Sequence, residues 1–157
     1  MPEPPVIHNT FVIERSYPHT PEVVFAAFAD PIQKRRWYGE SETHDVEEFT
    51  MDFKVGGREQ FRYRFREGTP FPGVELASSG HFYDIVPNQR IVTASNMAIG
   101  GRPISISLVT IEFLPTATGT DLVLTHQAAF FEGSDGPQMR QDGWRKLLDS
   151  LESALAG

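Results

Sequence analysis

The feature that most constrains the fold is the contrast between the C-terminal segment and the residues before it. Along 143–155 the apolar side chains recur every three or four positions, which predicts an amphipathic helix. Most of residues 43–130 instead alternates with a period of two, which predicts a series of strands. One long helix with a wide apolar stripe needs a sheet to cover. A sheet that curls around one helix tends to leave a cavity between them, where a small ligand can bind.

Composition narrows the class of protein. The 157 residues predict a single domain over 10–157, after a disordered lead-in over 1–9. Cysteine is absent, which excludes disulfides, thiol nucleophiles and thiolate metal sites. The net charge of -7 argues against nucleic acid or an anionic membrane as partner. We find neither a signal-peptide pattern nor an apolar run long enough to cross a membrane, so we expect a cytoplasmic protein, as a monomer or homodimer.

The remaining elements predict an α+β fold. A first strand over Phe11–Tyr17 precedes a short helix that begins at Thr20-Pro21, and a second short helix that begins at Asp30-Pro31 and ends at Gly39. The alternating segments that follow are 49–55, 61–66, 79–86, 90–97, 104–113 and 120–130. We therefore expect a curved antiparallel sheet of about six to seven strands around the long C-terminal helix.

Five groups of motifs, in this order, resemble the START-like, or SRPBCC, superfamily with its helix-grip fold. They are Pro21-Glu22-Val23-Val24-Phe25 with Asp30-Pro31 and Trp37-Tyr38-Gly39; Asp52-Phe53-Lys54-Val55-Gly56-Gly57-Arg58; Gly80-His81-Phe82-Tyr83-Asp84-Ile85-Val86-Pro87 with Arg90-Ile91-Val92; Gly119-Thr120-Asp121-Leu122-Val123-Leu124-Thr125-His126; and Gly143-Trp144 with Leu148 and Leu151. Within the superfamily the chain is most similar to the family related to the C-terminal domain of the activator of the ninety-kilodalton heat-shock chaperone's ATPase (AHSA-like). The resemblance implies a cavity between sheet and long helix, in a superfamily that includes lipid carriers, polyketide cyclases and co-chaperones.

His126 is the sharpest candidate for chemistry. It shares a strand face with Leu122, Leu124 and Ala128, so the alternation predicts that it points inward. An imidazole in a cavity can orient a ligand carbonyl or act as an acid or base, because its ordinary pKa lies near neutrality. The alternative is a core histidine whose hydrogen bonds are satisfied.

Six further residues complete the predicted ligand site, and five of them have a structural alternative. Phe61 and Tyr63 are expected to face the interior, or to be core aromatics. Ser107, with Ser105 on the same strand face, would make one wall polar, unless that end of the strand is solvated. Arg140 would guard the cavity mouth and meet an anionic ligand group, or be an ordinary solvated arginine.

Trp144 would roof the pocket or anchor the helix in the core, two roles that are compatible. Leu124 is predicted to contribute apolar surface to the ligand site. The face on which Asp84 lies is not decided by the sequence, so a cavity carboxylate and a surface aspartate stay open.

The function favoured by the sequence is the binding of a small, largely apolar molecule between sheet and helix. One alternative is a cyclase- or hydrolase-like enzyme that uses His126, with Tyr63 or Asp84. Another is a co-chaperone that acts through a protein surface. The spacing of the histidines fits no metal site, and no glycine-rich cofactor motif is present, so we expect neither metal nor cofactor.

Overall fold

The computed structural model describes residues 5–157, and its strands form one antiparallel sheet. The sheet order is β1-β7-β6-β5-β4-β3-β2, which leaves β1 and β2 at the edges. The strands are β1 Ile7–Tyr17, β2 His44–Met51, β3 Arg58–Phe65, β4 Glu75–Val86, β5 Arg90–Ile99, β6 Arg102–Pro115 and β7 Thr120–Phe130. The sheet is curved and is covered by helices, so the predicted α+β helix-grip class is confirmed.

Two short helices follow β1, as predicted. Helix α1 spans Pro21–Ala29, and the Thr20 hydroxyl caps it by accepting a hydrogen bond from the Val23 N–H at 3.4 Å. Helix α2 spans Pro31–Lys34, continues into a π-helical turn over Arg35–Gly39, and is capped by the Asp30 carboxylate. The capping residues and prolines therefore marked both helix starts correctly.

The boundary between lead-in and domain was placed too late. Ile7, His8 and Asn9 belong to β1, where they pair with residues 130, 129 and 128 of β7. They are ordered because a neighbouring strand satisfies their backbone groups, which the local sequence does not show. The rest of the predicted lead-in falls partly on residues 1–4, which lie outside the described part of the chain.

The strand predicted over 49–55 was misplaced. Strand β2 begins at His44 and ends at Met51, because the chain turns over 52–57, where the Gly57 N–H donates to the Lys54 carbonyl at 2.8 Å. A Cβ on Gly57 would lie 2.0 Å from the Asp52 carbonyl oxygen, so the turn requires glycine. Alternation of apolar side chains across a turn looks the same as alternation along a strand.

The long helix α3 spans Gly136–Ala156, so it begins well before the predicted stripe. Its C-terminal half supplies Leu148 and Leu151, both fully buried in one apolar cluster with Leu122 and Leu124 of β7. Helix α1 adds aromatic packing to the same cluster. The tightly packed core therefore lies under α1 and the second half of α3, and the first half covers a different environment.

Candidate functional site

A cavity of about 650 Å³ lies between the concave face of the sheet and α3, mainly under the first half of the helix, with a lining on α3 that runs from Met139 to Ser150. Its aromatic lining comes from three separate parts of the chain: Trp37 and Tyr38 in the π-helical turn, Phe61, Tyr63 and Phe65 on β3, and Trp144 on α3. These rings contact one another, with Tyr38 5.5 Å from Phe61 and 5.9 Å from Trp144 between ring centres. A cluster of aromatic side chains therefore forms one continuous part of the cavity wall.

The roof of the cavity is one face of α3. Arg140, Gly143, Trp144 and Leu147 line it at three- and four-residue spacing. Gly143 opens a gap in this roof, since a Cβ placed there would have no atom within 4 Å. The exposed side chain of Met139 lies at the rim.

One wall of the cavity is polar and is built around Arg140. Its guanidinium donates to both carboxylate oxygens of Asp135, at 2.8 and 2.9 Å, and to the hydroxyls of Ser105 at 3.0 Å and Ser107 at 3.4 Å. It also stacks over the Phe130 ring, 5.1 Å from its centre. Arg140 is buried, so the alternative of an ordinary solvated arginine is wrong. A buried guanidinium needs a matched anion, and Asp135 supplies it.

Arg140 keeps Asp135 ionised. Burial alone would raise the pKa of Asp135, but hydrogen bonds and charge from Arg140 outweigh that effect and hold the pKa below its usual value. The Ser134 hydroxyl donates a further hydrogen bond to the same carboxylate at 2.8 Å. The ion pair is therefore a permanent part of the wall near neutral pH.

Tyr63 contributes a hydroxyl to the cavity. Burial raises the pKa of Tyr63 to about 12, so its oxygen keeps the proton and can donate a hydrogen bond. The ring of His44 stacks on Tyr63 with ring centres 4.0 Å apart, and His44 Nε2 lies 2.6 Å from the Gly39 carbonyl oxygen. Burial also lowers the pKa of His44. This pair fixes the ring of Tyr63 against the end of the π-helical turn.

His126 lies inside the cavity wall and is 1% exposed. Its ring stacks on Phe11 of β1, with ring centres 4.5 Å apart and planes 8° from parallel. Burial, with a smaller contribution from the charge of Arg140, lowers the pKa of His126 to about 4, so the imidazole is neutral at physiological pH. Its Nδ1 has no hydrogen-bond partner among residues 5–157, which does not fit a core histidine with satisfied hydrogen bonds.

A second, much smaller chamber of about 50 Å³ adjoins the cavity, and Tyr38 and Trp144 line both spaces. In its wall, the Lys34 ammonium donates to a Glu59 carboxylate oxygen at 2.6 Å, and both side chains are largely buried. Lys34 also lies 4.7 Å from the centre of the Tyr38 ring. The chamber is large enough for only about one or two water molecules, so a ligand larger than that needs the larger cavity.

Six of the seven predicted ligand-site residues line the larger cavity: Phe61, Tyr63, Ser107, His126, Arg140 and Trp144. The seventh, Leu124, lies outside that lining and is fully buried in the core. It pairs with Ile13 on β1 and Ile111 on β6, at the end of the sheet where α3 packs directly. Alternation identified its inward face correctly, but it does not reveal where along the strand the cavity ends.

Asp84 lies outside the cavity. Its carboxylate, on β4, accepts a hydrogen bond at 2.6 Å from Nε of Arg90 on β5, and both side chains are exposed. A register shift between Phe82 and Asp84 interrupts the alternation at this point. The sequence left the face of Asp84 open, and the bulge is the reason that alternation could not decide it.

Sequence reasoning missed Asp135 and Tyr38. Asp135 precedes α3 and pairs with a residue five positions later, across the start of the helix, so the usual three- or four-residue spacing does not point to it. The one signal was the sequence Ser134-Asp135-Gly136-Pro137, which is typical of a helix start. Tyr38 was recognised only as part of a motif, and the π-helical turn that directs it into the cavity has no simple sequence pattern.

Within residues 5–157, no group of three or more histidine, aspartate or glutamate side chains is placed to hold a metal ion. In the same part of the chain, no helix has the length and apolar character needed to cross a membrane.

Residues 18–156 match the family described as Activator of Hsp90 ATPase homolog 1-like protein. The chain belongs to this family. The match confirms the resemblance noted in the sequence and is compatible with ligand-binding or co-chaperone-like roles in general. No curated protein matches the chain.

Solved structures of similar proteins share the fold of this chain. A protein from Rhizobium loti is 46% identical, with a TM-score of 0.84 over 95% of this chain and 98% of its own. An uncharacterised protein from Rhizobium leguminosarum is 34% identical, with a TM-score of 0.89 over 96% of both chains. An AHSA1-like protein from Aeromonas hydrophila, at 22% identity and a TM-score of 0.70 over 94% of this chain and 92% of its own, shares the fold.

Proposed function

We propose that this AHSA1-like protein binds a small, largely apolar molecule in the cavity beneath the first half of α3. The observation that carries the proposal is the cavity itself, about 650 Å³ in volume and lined by a cluster of six aromatic rings together with aliphatic side chains. Ligand sites typically measure about 300–1,000 Å³ and combine apolar walls with a few convergent polar groups. The cavity has both properties, since it combines aromatic and aliphatic lining with the polar wall built on Arg140.

His126 contributes a neutral imidazole to the cavity wall. The neutral state of the ring makes it compatible with an uncharged ligand.

The proposal can be tested with a neutral fluorescent probe, N-phenyl-1-naphthylamine, titrated into the purified protein. We expect saturable binding with enhanced fluorescence and a rise in melting temperature, because a ligand that binds only the folded state stabilises it. Native mass spectrometry of protein isolated from its own host would then identify a natural occupant.

A pair of neighbouring variants locates the binding. Gly143→Phe places a ring in the gap in the cavity roof, and we expect it to weaken probe binding at least about tenfold. Asp142→Phe adds the same ring to an exposed residue outside the cavity lining and should leave binding unchanged. The proposal is wrong if the wild-type protein shows no saturable binding, or if both variants bind the probe equally well.

A further inference from the structure

The polar wall of the cavity contains a cation whose charge is already balanced. Arg140 and Asp135 form a two-point ion pair in which the side chains are 9% and 23% exposed. A ligand carboxylate that approached Arg140 would have to compete with Asp135 or lie beside it, and repulsion between two carboxylates is strong in a partly buried site. The expectation that Arg140 meets an anionic ligand group therefore disagrees with the geometry.

The same wall has more hydrogen-bond donors than the protein uses. Four hydrogen bonds join the guanidinium to Asp135, Ser105 and Ser107, which leaves one N–H on Nη1 without a partner among them. The Ser107 hydroxyl accepts from Arg140, so its own proton remains available to the cavity. Tyr63, which stays protonated, adds another donor to the lining. The wall thus offers several donors, while the carboxylate of Asp135 is already engaged.

The rim of the cavity gives no compensating attraction for anions. Glu40 and Glu42 lie on one side of the rim, and Lys146 lies on the other. All three side chains are exposed, and their charges sum to one negative unit. Arg35 also pairs with Glu40 at 3.7 Å, so the rim is close to neutral, and an anionic ligand gains little on entry and meets a balanced ion pair inside.

We propose that the cavity selects an uncharged apolar molecule with a carbonyl group, whose oxygen accepts hydrogen bonds from Arg140, Ser107 and Tyr63. This inference rests on the proposed function and specifies its ligand class. An uncharged acceptor uses the surplus donors without adding charge to a site that is already neutral. Hydrocarbons leave those donors unpaired, and carboxylates add an unmatched charge.

Three probes with one ring system test the proposal: fluorene, 9-fluorenone and fluorene-9-carboxylate. They share the fused aromatic frame and differ mainly in the group that meets the polar wall. We expect 9-fluorenone to displace the neutral fluorescent probe at least about tenfold more effectively than fluorene, and at least about tenfold more effectively than the carboxylate. Each Kd is measured at about pH 7.5, where the acid is ionised.

Two variants test the assigned roles. Asp135→Asn removes the balancing charge but keeps an oxygen that can accept from Arg140, so we expect the carboxylate to gain at least about tenfold in affinity while 9-fluorenone changes little. Ser107→Ala removes one donor, and the preference for 9-fluorenone over fluorene should fall severalfold. The wild-type order of the three probes remains decisive if Asp135→Asn does not fold.

The outcomes separate the two proposals. If none of the three probes binds and N-phenyl-1-naphthylamine does not bind either, both the proposed function and this inference fail. If the probes bind but fluorene equals 9-fluorenone, or the carboxylate binds best, ligand binding stands and the carbonyl preference is overturned. If the order holds in the wild type and the carboxylate gains in Asp135→Asn, the assignment of the wall is supported.

Discussion

Helix α3 covers the sheet in two different ways along its length. In its second half, Leu148 and Leu151 are fully buried in one apolar cluster with leucines of β7, and the Tyr17 hydroxyl of β1 donates to the Leu148 carbonyl at 3.0 Å, so helix and sheet meet directly. In its first half, Arg140 and Trp144 roof a cavity of about 650 Å³. The two halves share one helix and one sheet, and the difference arises from the side chains between them. Close-packed leucines fill the space at one end, whereas large rings fixed by their neighbours hold the layers apart at the other.

The two ends of the molecule contribute unequally to the stability of the fold. Burial of apolar side chains stabilises the packed end, where each large side chain contributes about 1.5–3 kcal/mol. The cavity end contains a buried ion pair, an imidazole nitrogen with no partner in residues 5–157, and a helix glycine, which contribute little or cost stability. The comparison indicates that the packed end provides the stability on which the open end depends.

Leu151→Ala tests the packed end and should have the largest effect. We expect a loss of about 2–5 kcal/mol in the free energy of unfolding, because a fully buried leucine leaves a void when it is truncated. Met139→Ala, in the exposed first half of the same helix, is the control and should cost less than about 0.5 kcal/mol. Equal losses in urea denaturation would show that the two halves do not differ as described.

The pH dependence of stability tests the environment of His126. Its folded pKa, about 4, lies below the ordinary value of 6.5, so between these values the unfolded state binds a proton that the folded state excludes. Above about pH 6.5 the lowered pKa of His126 costs the folded state almost no free energy. Stability then falls as the pH drops towards 4. Between about pH 7.5 and 5 we expect a loss of about 2 kcal/mol from this residue.

The variant His126→Leu should remove that part of the pH dependence. At about pH 7.5 we expect its stability to lie within about 1.5 kcal/mol of the wild type, since a leucine of similar bulk suits the same wall. The exposed His8 provides the control, because His8→Leu should keep the wild-type slope. An unchanged slope in His126→Leu, or a large loss of stability at about pH 7.5, would indicate a structural histidine instead.

Trp144→Ala tests the part of α3 where the packed end and the cavity end meet. The side chain is larger than that of Leu151 but only partly buried, with one side facing the cavity, so it loses fewer packing contacts. We expect a cost of about 1–2 kcal/mol, together with weaker binding of N-phenyl-1-naphthylamine. If thermal or urea unfolding shows a loss of unfolding free energy as large as that of Leu151→Ala, Trp144 belongs to the core.

Glu75→Gln tests the outer face of the sheet, where the smallest effect is expected. Glu75 lies 3.2 Å from Arg64 and 3.5 Å from Arg62, and all three side chains are at least 28% exposed. Exposed ion pairs of this kind contribute less than about 1 kcal/mol, and the contribution shrinks in high salt. Glu67→Gln, in the exposed loop after β3, is the control. A loss of unfolding free energy in Glu75→Gln that does not depend on salt would contradict the surface role.

Much of the fold could be predicted because local rules act within short segments. The caps at Thr20 and Asp30 marked two helix starts, and β7 was predicted with its correct limits, 120–130. Alternation along β3 predicted that Phe61 and Tyr63 face the interior, and both side chains line the cavity. Each of these features depends on residues that are neighbours in the chain.

The sequence by itself determined the order of elements, the inward face of most strands and six residues of the cavity lining. Tertiary structure alone decided where the cavity ends, which is why Leu124 belongs to the core although it shares a strand face with His126. It also decided that Arg140 is balanced by Asp135, and that a bulge turns Asp84 outward. The physical reason is that periodicity specifies a direction for each side chain, whereas packing and charge pairing depend on what distant segments bring to the same place.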